Sequence, residues 1–336
     1  MTDAPNATEP SSPTTNNRQR FTGNYEGKIF TDTALLIGKQ IAIMFIIMLL
    51  GGFCGFRGLI TKSGLKQLST VELHIVNPLL IFMSYQTDLN SRLLGGLAWA
   101  FLLSAISFAA AILLATFVIP KKRPDFDIER FASIYSNCGF IGIPLINGIY
   151  GQEGVLYLTA YITLFNLLVW THGYMVMKGQ RDFSAFLSAL KNPSVIAVIV
   201  GLIFYLTNIR LPSVPASSLE LVSSMNTPLA MLIAGATASQ TNFLKAMKNS
   251  GIYIVSGMKL IAVPAVCYAL MRLTPAPERV IMTLTIAAGC PVATTGTMFA
   301  VLFDKKPERC SEFFAVTTVL SGFTLPILTA VCVKLF

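Results

Sequence analysis

From residue 33 onward the chain alternates long apolar runs with short polar breaks. A membrane-crossing helix needs about 20 mostly apolar residues, and the pattern predicts about ten of them. The first five are Thr33–Phe56, Glu72–Tyr85, Leu93–Ile119, Ile128–Tyr150 and Gly154–Met177; the second five are Ser194–Thr207, Pro228–Ser239, Gly251–Met271, Val280–Phe303 and Ser311–Leu335. The second, sixth and seventh are short, and are expected to extend into their flanks or to lie shallow. Ahead of them, Met1 to about Asn24 is rich in Pro, Thr, Ser and Asn, which predicts a disordered tail over residues 1–28. The tail lacks the apolar stretch of a signal peptide, so the first helix is expected to act as an uncleaved targeting signal.

Composition agrees with a membrane class. The 336 residues are 54% hydrophobic and 12% charged, against about 25% charged in soluble domains, and the mean hydropathy is +0.65. Such a chain cannot cover itself with water-facing groups, so the lipid bilayer is the expected surround. The net charge of +9 does not point to nucleic acid, because the basic residues are scattered through short loops. One set of loops holds Arg57, Lys62 and Lys66; Lys121, Lys122, Arg123 and Arg130; Lys178, Arg181 and Lys191; Lys245 and Lys248; and Lys305, Lys306 and Arg309. The opposite set holds only Arg92, Arg210, Arg272 and Arg279. The richer set is expected on the cytoplasmic side, which puts both termini outside, although Arg18, Arg20 and Lys28 oppose this mildly. The six cysteines form no CxxC pair and suit packing rather than a disulfide framework.

The two halves, residues 29–180 and 181–336, resemble each other. Leu65-Lys66-Gln67 leads to Asn77-Pro78-Leu79, and Ser218-Leu219-Glu220 leads to Asn226-Thr227-Pro228-Leu229, with the prolines about 150 residues apart. Five spans per half is an odd number, so the second copy must enter the membrane inverted, as transporter repeats do.

Two spans are interrupted near their middles. The fourth contains Asn137-Cys138-Gly139-Phe140-Ile141-Gly142-Ile143-Pro144, and the ninth Gly289-Cys290-Pro291-Val292-Ala293-Thr294-Thr295-Gly296. Gly and Pro together unwind a helix, and bare backbone at membrane depth survives only beside protein or a wet cavity. Pro144 and Pro291 each suit the first position of a new half-helix, whose start offers free N–H groups and the positive end of a dipole. Two such ends meeting would hold a carboxylate without a cationic side chain. Asn137, Thr294 and Thr295 add neutral donors and acceptors. The candidate substrate-binding residues are therefore Asn137, Gly139, Gly142, Pro144, Gly289, Pro291, Thr294 and Thr295, with Asn77 from the repeated Asn–Pro motif. The competing explanation is plain helix kinks packing against neighbours.

Asn137-Cys-Gly-Phe-Ile-Gly-Ile-Pro-Leu followed by Gly148-Ile-Tyr-Gly resembles the fourth-helix motif of the auxin efflux carrier family. Asn77-Pro78-Leu-Leu-Ile-Phe resembles its second helix, and Pro291 to Ala300 with Thr317 to Pro326 its ninth and tenth. The resemblance, over about residues 33–335, implies an all-α membrane fold of ten helices in two inverted five-helix repeats. Helices four and nine would be crossing broken helices, as in bile-acid and sodium–proton transporters. It also implies that Asn137 is the site asparagine, and that Pro144 and Pro291 are the crossover prolines. Small hydroxyl residues follow Pro291, unlike the plant pattern, which favours a small carboxylate such as malate or malonate over auxin itself.

Lys259 lies inside the eighth span. A buried ammonium is costly and marks function by default; it would balance the substrate, brace the crossover, or snorkel to the interface. His74 and His172 fit hydrogen-bonded structural roles better than proton coupling. No Asp or Glu lies at either break, which speaks against cation exchange. No HExxH, GxSxG or metal cluster suggests an enzyme or a bound cofactor, and nothing resembles a channel filter. These features predict a multi-pass transporter of the plasma or inner membrane that moves a small organic anion, with a homodimer through helices one, two, six and seven, the scaffold that the resemblance implies, as a further expectation. Because no titratable carboxylate is expected at the site, electrogenic movement without a coupling ion is the favoured mode, and proton- or sodium-coupled symport the alternative.

Overall fold

A computed structural model describes residues 35, 38–39, 42–86, 94–179, 191, 193–239 and 248–334. The predicted disordered tail, the boundary between the halves at residues 180 and 181, and Arg92 and Lys245 lie outside these residues. Regular structure among the described residues is helical. Five helices are long and apolar enough to cross a membrane, and two shorter ones, Ala42–Phe56 and Pro193–Leu206, are also apolar.

In chain order the helices are α1 (Ala42–Phe56), α2 (residues 62–84), α3 (Leu94–Val118), α4 (Phe126–Ile134), α5 (residues 138–150) and α6 (Glu153–Lys178). They continue as α7 (Pro193–Leu206), α8 (residues 213–238), α9 (Ser250–Met271), α10 (Glu278–Gly289), α11 (Thr295–Leu302) and α12 (Pro307–Lys334). The short second and seventh spans do extend into their flanks. Leu65–Gln67 and Ser218–Glu220 lie in the early turns of α2 and α8. Thr61 caps α2, its hydroxyl accepting from the Gly64 N–H at 3.1 Å, which satisfies one of the amides a helix start leaves open.

Three helices widen into a π turn just before a proline: Glu72–Val76 before Pro78, Cys138–Gly142 before Pro144, and Met258–Ala262 before Pro264. A proline ring collides with the carbonyl four residues back, and the wider turn makes room for it. Gly151, at φ 62° and ψ −155°, separates α5 from α6, a conformation that excludes most residues with a Cβ.

Helix α1 packs against α8 through small residues. A Cβ on Gly235 would collide with the Met48 carbonyl, and one on Gly51 with the backbone of Leu232. This close approach is the usual basis of helix association in lipid. On the outside, Leu113, Phe117, Leu221 and Phe323 are exposed, as an apolar surround requires.

One end of the molecule gathers the basic loops. Lys305 pairs with Asp127, Lys306 with Asp125 at 2.6 Å, Arg309 with Asp125 at 3.6 Å, and Lys66 with Asp304 at 3.3 Å. Arg123 is bound by Glu129 at 2.5 Å, a hydrogen bond that pushes its guanidinium pKa above the ordinary value. Arg130 closes the C-terminus of α3 by donating to the carbonyls of Ile119 and Thr116, where a cation complements the helix dipole. Loops assigned to one side from charge alone are thus tied to each other. Arg279 pairs with Glu153 in the basic-poor set.

Candidate functional site

Two helix interruptions cross and bond to each other. Helix α4 ends because Tyr135 is extended, at φ −90° and ψ 121°. Helix α10 ends because Cys290, just before Pro291, is extended at φ −62° and ψ 151°, as residues preceding proline prefer. The two extended stretches run antiparallel, with Ser136 opposite Val292. The Asn137 N–H donates to the Pro291 carbonyl at 2.7 Å, and the Ala293 N–H to the Tyr135 carbonyl at 3.0 Å. The Val292 N–H donates to Thr317 Oγ1 on α12 at 3.1 Å. Polar backbone exposed by unwinding is thereby satisfied inside the protein, as burial demands.

Lys259 sits at this crossing. It is fully buried, and its Nζ donates to the Ile134 carbonyl at 3.1 Å, at the negative end of α4. Full burial removes the snorkelling alternative. Lys259 is not among the residues lining the adjoining cavity, so it braces the crossing rather than reaching into that space.

The cavity, of about 210 Å³, opens between the crossing and helices α2, α6 and α8. Ser136, Asn137, Gly139 and Ile143 line it from the first interruption, and Ala293, Thr294, Thr295 and Met298 from the second. The first turns of α5 and α11 therefore border it, where helix geometry leaves amides without intrahelical partners. The Asn137 Nδ2 is buried without a hydrogen-bond partner among the described residues. Asn77 lines the opposite wall, and its amide donates to Ser194 on α7 at 3.3 Å.

Of the candidate residues, Asn77, Asn137, Gly139, Thr294 and Thr295 meet in this cavity, whereas Gly142, Gly289 and Pro291 do not line it. Gly142 lies in the packed interior, where a Cβ would rest 3.6 Å from Cys290 Sγ and Leu158 Cδ2. A Cβ on Gly289 would stand 2.5 Å from Leu328 Cδ2, so Gly289 is a spacing residue. Pro291 does not open a half-helix: α11 starts at Thr295, and Pro291 supplies the carbonyl that receives Asn137. Pro144 lies in the first α-helical turn after the π turn, not at the start of the half-helix, because that wider turn begins at Cys138.

The structure adds groups that the sequence did not single out. Glu72 lines the cavity although it is only 2% exposed. Its Oε1 accepts from Asn226 Nδ2 of α8 at 2.6 Å, while Oε2 has no hydrogen-bond partner among the described residues. Asn166 of α6 also lines the space. The expectation of a site without a titratable carboxylate is therefore corrected. Glu72 is 65 residues from Asn137 in sequence, and the packing of α2 against the crossing brings it in. The available signal was the recurring Asn–Pro segment, since Asn77 and Asn226, one from each occurrence, both line the cavity. His172 accepts or donates a hydrogen bond with the Tyr135 hydroxyl at 2.9 Å, and His74 Nδ1–H donates to the Thr70 carbonyl at 3.0 Å. Both have the hydrogen-bonded setting expected of structural histidines.

An apolar helical molecule with a polar cavity where two interrupted helices cross has the form of a membrane transporter. A family model described as a membrane transport protein matches residues 36–329, and the chain belongs to that family, the auxin efflux carriers. It is 24% identical to an uncharacterized transporter of Methanothermobacter thermautotrophicus over 87% of this chain and 97% of the relative. It is 25% identical to an uncharacterized transporter of Methanocaldococcus jannaschii over 84% and 94%. The uncharacterized transporter YfdV of Escherichia coli is 23% identical over 87% and 96%. The chain is a membrane transporter.

Proposed function

We propose that the chain carries a small organic anion, a carboxylate such as malate or malonate or an auxin-like acid, across the plasma or inner membrane by alternating access. The observation that carries this reading is the cavity at the crossing. Two half-helix starts border it, and Asn137 Nδ2 is buried there without a partner among the described residues. These groups are donors, and a carboxylate is the acceptor that suits them. A volume of about 210 Å³ accommodates a small acid.

In this reading the chain forms ten transmembrane helices in two inverted repeats, residues 29–180 and 181–336, with the basic loops cytoplasmic. The paired interruptions and the two asparagines, Asn77 and Asn226, in one cavity support the repeat. The remaining proposed partner is a second copy of the chain, joined through the scaffold helices. Glu72 favours the ion-coupled alternative over electrogenic uniport, because an acid in the cavity wall is a group on which a coupling ion can ride.

A thermal-shift screen of the purified full chain against mono- and dicarboxylates, followed by counterflow in proteoliposomes, tests the function. A stabilising carboxylate whose flux saturates at modest turnover is expected. Stabilisation by no carboxylate, or flux that never saturates, would refute a carboxylate carrier.

A further inference from the structure

We propose that Glu72 is the proton-carrying group of the transport cycle, taking up a proton when an organic anion enters the cavity and releasing it on the far side. The chain is then a proton–anion symporter. The inference rests on the anion reading above and adds its coupling ion.

Glu72 is 2% exposed, lines the cavity, and makes no ion pair among the described residues. Asn226 serves one carboxyl oxygen, and no described residue serves the other. An ionised carboxylate only accepts hydrogen bonds, whereas a protonated one also donates. An incoming anion also only accepts. It would satisfy Asn137 Nδ2 across the same cavity, but it would meet an ionised Glu72 as a like charge with no hydrogen between them. Protonation of Oε2 removes that charge and supplies the missing donor. Anion and proton therefore favour each other's binding, and the coupling is reciprocal.

The step balances simply. A proton from water forms the O–H bond on Glu72 Oε2, and the same bond breaks when the cavity faces the other side. Each cycle moves one anion and one proton.

A proton fits better than a metal ion. Asn226 already points a donor at Oε1, and a cation bound by the carboxylate would have to compete with that donor, whereas a proton needs only the free oxygen. Other titratable groups on the packed elements are few. On α2 itself, Lys66 pairs with Asp304 and His74 bonds the Thr70 carbonyl, and Lys62 lies in the opening turn. Helix α8 contributes Glu220, α7 contributes Tyr205, and α11 contributes none. None of these lines the cavity.

The test uses the full chain in proteoliposomes, with radiolabelled malonate, malate and indole-3-acetate as probes, the potential clamped at zero, and protein-free liposomes as control. An inward proton gradient of one pH unit is expected to drive accumulation of a transported anion toward tenfold over the control. A trapped pH dye should report acidification inside as the anion enters. In Glu72→Gln, any residual flux should ignore the proton gradient; if that variant fails to insert, the dye signal of the unaltered protein decides alone. Downhill flux without acidification, accumulation that follows sodium instead, or a Glu72→Gln variant that still follows pH would each overturn the proposal and leave the anion carrier standing. No flux of any probe would overturn both.

Discussion

Replacing Asn137 by alanine separates binding from folding. The backbone N–H of residue 137 holds the crossing through the Pro291 carbonyl at 2.7 Å, and alanine keeps that bond. The side-chain Nδ2 has no hydrogen-bond partner among the described residues. Leaving a buried donor unsatisfied costs about 1–3 kcal/mol, so its removal should leave stability unchanged or raise it. A hydrogen bond to a charged group contributes about 1.5–3 kcal/mol, which corresponds to a loss of about 10- to 150-fold in affinity. Binding and stability are thus expected to move independently. The assay is titration calorimetry of the purified Asn137→Ala variant with the most stabilising carboxylate, alongside thermal unfolding without ligand. Unaltered affinity would remove Asn137 from the site. A clear drop in melting temperature would show that its side chain supports the crossing instead.

Two further substitutions probe the frame around the cavity. Lys259→Met and Lys259→Gln should insert and purify as monodisperse protein, yet lose at least about tenfold in flux, because the Ile134 carbonyl loses the donor that fixes the end of α4 and small displacements at a transport site are costly; normal flux in both would return Lys259 to a passive role. Gly235→Ala should lower the melting temperature, since its Cβ would meet the Met48 carbonyl and overpacking costs about 1–3 kcal/mol, whereas Gly52→Ala, whose Cβ would lie 3.6 Å from the Gly235 carbonyl, should be tolerated; equal losses in the two would contradict the α1–α8 packing.

The neighbourhood of the interruptions was legible because Gly and Pro act locally: Gly139 and Gly142 lie in the widened turn that follows the first break, with Pro144 just beyond it, and Gly289 and Pro291 flank the start of the second. Their mutual bonding was not, since Asn137 and Pro291 are 154 residues apart and only the tertiary fold makes Ser136 face Val292. The same locality misassigned Pro291, which looked like a helix start but serves as an acceptor within the break. Glu72 was hidden for a different reason. It stands at the junction of an amphipathic turn and an apolar run, where an acid is ordinarily exposed, and its hydrogen bond to Asn226 spans 154 positions. Lys259 is visible in the sequence as an ammonium inside a span, but whether it faces substrate, carbonyl or interface is decided by neighbours such as Ile134 that sequence spacing does not place.

The most direct test of the carboxylate site is an electron cryomicroscopy structure of the full chain in lipid nanodiscs with the most stabilising carboxylate bound. Ligand density is expected in the cavity between Asn137 and the first turn of α11, with a carboxylate oxygen within hydrogen-bond reach of Asn137 Nδ2. Density outside that cavity, or a carboxylate seated there without contact to Asn137 or to either half-helix start, would contradict it.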